Sequence, residues 1–169
     1  PICILALGAT FVLMTGGIDL AAENGLTMIA VVASVSHIMT GENLLVLFGG
    51  CLILGAALGC VNGLLITRLR LLPFVATLAM MSIAQGITLF ASEGKIMFLN
   101  HPVTVFIGSG KLFHIIPMPV VIFAGMCVVA YILLNKTKMG TAVYALGGNK
   151  EAAEYSGIQV KREETKVYI

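Results

Sequence analysis

Two carboxylates, Asp19 and Glu23, stand in the segment Thr15–Gly25 (TGGIDLAAENG), which interrupts two apolar runs. An ionised group at membrane depth is costly and is usually paired or lines a wet cavity, so these carboxylates are candidates for a translocation pathway. The neighbouring Gly16 and Gly17 fit that reading, because a glycine-interrupted apolar segment is the sequence mark of a discontinuous helix beside a transport path. An interfacial loop in which Asp19 caps the next helix is an equally open reading. Asn62, inside another apolar run, is the third candidate on the pathway, and as a polar group in the membrane it needs a partner.

The other reactive residue types do not assemble a chemical centre. Gly108-Ser109-Gly110-Lys111 resembles the end of a phosphate-binding loop, but Leu112 follows the lysine and Val105 stands where the upstream glycine belongs. His37, His101 and His114 lack metal-ligand spacing and read as interfacial residues at span ends. Cys3, Cys51, Cys60 and Cys127 lie in apolar blocks with no CxxC pair and read as small apolar packing groups. No Ser/His/Asp set or carboxylate pair suggests catalysis. The expectation is a chain with no catalytic residue, no metal and no cofactor of its own.

The elements that hold these residues follow from composition. The chain is 59% hydrophobic and 11% charged, whereas soluble domains carry about a quarter of their residues as charges. With a mean hydropathy of +1.03, the class is an integral membrane protein lying in the lipid bilayer. Four charge-free blocks follow one another: Leu26–Gly41, Asn43–Thr67, Leu71–Ser92 and Leu112–Asn135. About 20 helical residues cross a hydrocarbon core of about 30 Å, so the last three are long enough to span. Lipid-exposed backbone must satisfy its own hydrogen bonds, so the spans are helices and the fold is all-α, a polytopic transmembrane bundle. Pro73 opens the third block in the first helical turn, where its missing N–H is not needed. The stretch Glu93–Ile116 is mixed, with Pro102, Gly108 and Gly110 as punctuation, and within it the run Val103–Ile107, too short to span, fits either an extracellular strand or a half-inserted helix. The chain opens inside an apolar run with no Met, basic flank or signal peptide, which reads as part of a longer membrane protein, incomplete at both ends.

Net charge is only +2, but its distribution sets a topology. Arg68 and Arg70 place one turn in the cytoplasm, and six basic residues from Lys136 to Lys166 place the tail there too. No basic face with interleaved aromatics is present, so nucleic acid is not an expected partner.

Two small-residue patterns remain. Gly55, Gly59 and Gly63 recur every four residues in one span, two overlapping G-x-x-x-G units that let a second helix approach closely. Thr137–Ile158 (TKMGTAVYALGGNKEAAEYSGI) crowds Gly140, Ala145, Gly147, Asn149, Ala152, Ala153 and Gly157 together directly after an apolar run. It reads as a short helix with a bare face, offered at the membrane surface to another protein.

Several of these segments resemble one family, the permease subunits of bacterial ABC importers for ribose and related monosaccharides. The matching pieces are Gly16-Gly17-Ile18-Asp19-Leu20, Val61-Asn62-Gly63, Pro73 through Leu78 (PFVATL), and Gly140 through Ile158, in the family's order over nearly the whole chain. Ala21-Ala22-Glu23-Asn24 departs from the usual Ser-Val-Gly-Ser, and Gln85-Gly86 replaces a common Arg-Gly pair. The resemblance implies one transmembrane permease domain over residues 1–169, with residues 136–166 as the segment that couples to an ATPase. It further implies a cytoplasmic ABC ATPase subunit, an extracytoplasmic sugar-binding protein and a second permease copy as partners, in the cell membrane of a bacterium. The function implied is ATP-driven import of a ribose-like monosaccharide by alternating access. Two alternatives stay open: an ion-coupled carrier using Asp19 and Glu23, and a membrane scaffold that recruits a cytoplasmic partner.

Overall fold

The computed structural model describes residues 2–40, 44–97, 101–113 and 115–169, the side chains of 37–40 excepted. His114 and the His37 side chain therefore lie outside the described residues. Nine helices and one two-stranded hairpin are seen among the described residues.

Three helices are long and apolar enough to cross a membrane: α3 (Leu44–Thr67), α4 (Pro73–Ser92) and α6 (Met118–Lys136). They match the three long charge-free blocks, because the absence of charge over this length leaves the chain no cheaper solution in lipid. α1 (Ile2–Met14) and α2 (Ala22–Thr40) precede them. α2 begins at Ala22 rather than Leu26, since Glu23 in the first turn sits favourably at the positive end of the helix dipole. α4 starts at Pro73 with Leu72 extended before it, as a residue preceding proline must be.

In the mixed stretch the run Val103–Ile107 is helical and not a strand, and a short hairpin follows it. α5 (Pro102–Ser109) is capped by His101, whose Nδ1 accepts the Val103 N–H at 3.2 Å. The strands β1 (Lys111–Leu112) and β2 (Ile116–Pro117) then pair antiparallel, and this hairpin delays the start of α6 to Met118.

After α6 come α7 (Lys138–Gly148), α8 (Lys150–Tyr155) and α9 (Val160–Tyr168). α2 packs most extensively on α4 and also on α3, and α9 lies along α3. The apolar core at this end is Val12, Val143, Val167 and Tyr168, with Phe11, Met14, Ile66, Leu134 and Met139 against it. Residues from α1, α3, α6, α7 and α9 thus share one cluster. The long helices α3, α4 and α6 keep most of their apolar surface outward, as helices facing lipid do.

Candidate functional site

The break after α1 is built by its glycines. The Gly17 N–H donates to the Val12 carbonyl at 3.0 Å and the Gly16 N–H to the Leu13 carbonyl at 3.0 Å, with Gly16 at φ 77°. This is a Schellman closure, in which the left-handed residue is free of strain only as glycine. The chain then turns, and Asp19 Oδ1 accepts the Ala21 N–H at 2.9 Å just ahead of α2. The carboxylate thus occupies a backbone N–H that the start of α2 would leave unsatisfied.

Two contacts fix the depth of this break. Asn24 Nδ2 donates to the Met81 carbonyl at 3.3 Å, about two turns inside the first residue of α4. The Tyr168 hydroxyl lies where a Cβ on Gly17 would be, and the Tyr168 backbone abuts Gly59, about two turns inside the end of α3. At ~1.5 Å per residue, the break sits roughly 12 Å inside the bundle. Asp19 is half-buried there and Glu23 is exposed on the first turn of α2. Asn62 is buried, with its Oδ1 lacking a hydrogen-bond partner among the described residues. None of the three lines the cleft between the α3–α4 turn and helices α8 and α9, and no group of three or more His, Cys, Asp or Glu side chains that could hold a metal ion is found among the described residues.

The glycine row of α3 is graded in closeness. A Cβ on Gly59 would meet the carbonyl of Tyr168 in α9. One on Gly63 would stand 2.9 Å from Thr165 Cγ2 and 3.1 Å from its Cα, whereas one on Gly55 would meet only Ile29 Cδ1 at 3.6 Å. Thr67 and Thr165 hydroxyls link the same two helices at 3.0 Å. The partner surface on α9, Thr165 with Tyr168, was not signalled by the sequence. Its apolar residues stand among the charges of VKREETKVYI, and only their spacing of three on one helix face hints at it.

The small-residue segment forms two helices instead of one. Asn149 is extended (φ −159°, ψ 113°), ends α7, and its Oδ1 accepts the Ala152 N–H at 3.0 Å to cap α8. α8 closes through a second Schellman pair, Ile158 N–H to Ala153 carbonyl at 3.1 Å and Gly157 N–H to Glu154 carbonyl at 2.9 Å, with Gly157 at φ 86°.

Several of the seven residues therefore owe their type to contacts inside the chain. Gly140 is buried against the Leu134 backbone at the end of α6, and a Cβ on Gly147 would meet the Met14 carbonyl at the end of α1. Ala153 is buried and Ala145 half-buried, while Ala152 is exposed. The surface this unit turns outward carries Gly147, Asn149, Ala152 and Gly157 together with Tyr155, 92% exposed, and Tyr144, 53% exposed. α7 is thus wedged against the ends of α1 and α6 and against α9, and α8 packs on α7 and α9.

At the same end a cleft of about 1110 Å³ opens between the α3–α4 turn and helices α8 and α9. It is lined by both basic groups that the charge pattern places on one side, Arg68 and Arg70 from the turn and Lys161 and Arg162 from α9.

Apolar spans carrying a basic end and a short helical unit define a multi-pass membrane protein. The family model described as branched-chain amino acid transport system, permease component, matches residues 1–169. The chain belongs to this family. It is 35% identical to the ribose import permease protein RbsC of Escherichia coli (strain K12), over 98% of this chain and 52% of that protein. It is 38% identical to the ribose import permease protein RbsC of Bacillus subtilis (strain 168), over 98% of this chain and 51% of the relative. The galactofuranose transporter permease protein YtfT of Escherichia coli (strain K12) is 33% identical over 95% of this chain and 47% of its own length. The chain thus spans about half the length of the curated relatives it matches. No solved structure gives a significant match.

Proposed function

We propose that this chain is part of the membrane-spanning subunit of an ATP-driven importer for a monosaccharide of the ribose type. It moves its substrate by alternating access, with no covalent step of its own. The names of its relatives, ribose import permeases and a galactofuranose transporter permease, support the substrate class. The observation that carries the mechanism is the α7–α8 unit. It projects an exposed aromatic residue at the basic end of the bundle and rests on the ends of two apolar helices. By the positive-inside rule that end faces the cytoplasm, where an ATPase subunit would dock.

Coupling requires that the docked ATPase contact one permease state better than the other. A force on α8 reaches α1 through the Gly147–Met14 approach and α6 through the Gly140–Leu134 approach, both made at backbone distance with no side chain to yield. The break at Thr15–Ala21, which follows α1 directly, is the element such a push would move. A sugar-binding protein on the outer side and a second permease copy complete the assembly.

Affinity recovery of the tagged protein from native membranes in mild detergent, read by mass spectrometry, tests this reading. The wild type is expected to bring down an ABC ATPase, and Tyr155→Ala to lose it at unchanged thermal stability, because an exposed aromatic anchors interfaces and supports no core here. Gly147→Arg is a poorer probe, since its side chain would also collide with the end of α1. Reproducible recovery of the permease alone sinks the importer and favours an ion-coupled carrier.

A further inference from the structure

We propose that the cleft at the basic end of the bundle binds the phosphate headgroup of an anionic phospholipid. Six of the ten Lys and Arg residues of the chain line it, against two carboxylates, Glu154 and Glu164. Two of the six cations are already paired. Lys150 of α8 meets Glu164 of α9 at 2.6 Å, and Lys166 meets Glu163 at 2.6 Å. Arg68, Arg70, Lys161 and Arg162 have no ion pair among the described residues. Four unpaired cations turned onto one concave surface raise each other's energy and focus a positive potential in the space between them. An anion placed there relieves that repulsion, and guanidinium forks fit phosphate oxygens two at a time.

The level and the walls of the cleft select a lipid as the source of that phosphate. The turn between Thr67 and Pro73 joins the ends of two spans, so its arginines lie where headgroups lie. Leu64 and Leu71 line the same cleft and are 43% and 41% exposed, and Leu72 beside them is exposed further. The basic floor therefore continues into an apolar wall that runs onto the lipid-facing side of α3 and α4. A freely dissolved phosphate has no use for that wall, whereas a glycerophospholipid covers both parts. Basic pockets between spans on the cytoplasmic side are places where anionic headgroups are held.

The test uses the permease purified in an uncharged detergent, offered dioleoyl phosphatidylglycerol or dioleoyl phosphatidylcholine, with retained lipid counted by native mass spectrometry. The wild type is expected to retain the phosphatidylglycerol preferentially, and Arg68→Gln/Arg162→Gln to reduce that preference on the order of tenfold. Lys95→Gln/Lys111→Gln removes the same formal charge at the opposite end and is expected to leave it intact. Equal retention of the two lipids, or an equal fall in both variant pairs, overturns the proposal. Inorganic phosphate that binds alone, is lost in the Arg68/Arg162 variant and is not displaced by lipid would assign the cleft to a soluble anion and overturn the lipid. A variant that keeps its lipid preference but loses a co-purifying protein would make the cleft a protein contact, which also overturns it.

Discussion

A methyl group is the smallest probe of the contact between α3 and α9. At Gly59 it would meet the backbone carbonyl of Tyr168, and neither side has a flexible side chain that could move away. The helices must part, at a cost on the order of 1–3 kcal/mol. At Gly55 the same methyl would sit 3.6 Å from the end of Ile29, an ordinary contact. Gly59→Ala is therefore expected to lower the melting temperature of the detergent-solubilised protein, by roughly 2–4 °C for each kcal/mol, and Gly55→Ala to leave it in place. Equal shifts at the two positions would show that the row acts as one lipid-packed surface and not through the α9 backbone. A period of four named this row in the sequence, but it treated the three glycines alike. Their grading depends on where α9 lands, a hundred residues further along the chain. The same holds for Asn62: its apolar run marks it as a polar group in a span, but its burial depends on which elements pack against that face of α3.

At the scale of elements, the spans were legible because lipid leaves few choices: a charge-free block of the right length has to be a helix. The units after α6 were less so, since length no longer constrains them and small residues suit a docking face, a tight turn and a close approach equally well. The break at Asn149 is the clearest case. Its side chain is exposed and also accepts the Ala152 N–H, which starts a second helix directly after α7. α8 is only six residues long, too short to persist without its cap and its closure at Gly157. Asn149→Ala should therefore cost α8 about 1 kcal/mol and fray it locally while the spans stay folded. Hydrogen exchange measured on the intact protein checks this. Faster exchange confined to residues 150–157 is expected, and exchange that also rises in α7 would show that the two helices form one cooperative unit.

For the molecule as a whole, the fold joins two charge clusters that are distant in sequence. Arg68 and Arg70 follow α3, Lys161 and Arg162 begin α9, and all four line one cleft. Two separate applications of the positive-inside rule are thereby tied to a single end of the bundle, and they stand or fall together. Lys95, after α4, and Lys111, before α6, lie at the other ends of the spans, so they oppose the rule weakly by number. The topology can be tested by single cysteines placed where the side chains are exposed, after Cys3, Cys51, Cys60 and Cys127 are replaced by alanine. Lys95→Cys should react with a membrane-impermeant maleimide in intact cells. Lys150→Cys should react only in inside-out vesicles, because α8 belongs to the basic end. Labelling of Lys150→Cys in intact cells would invert the bundle, take α8 out of reach of any cytoplasmic ATPase, and move the basic cleft to the leaflet where the proposed coupling has no partner.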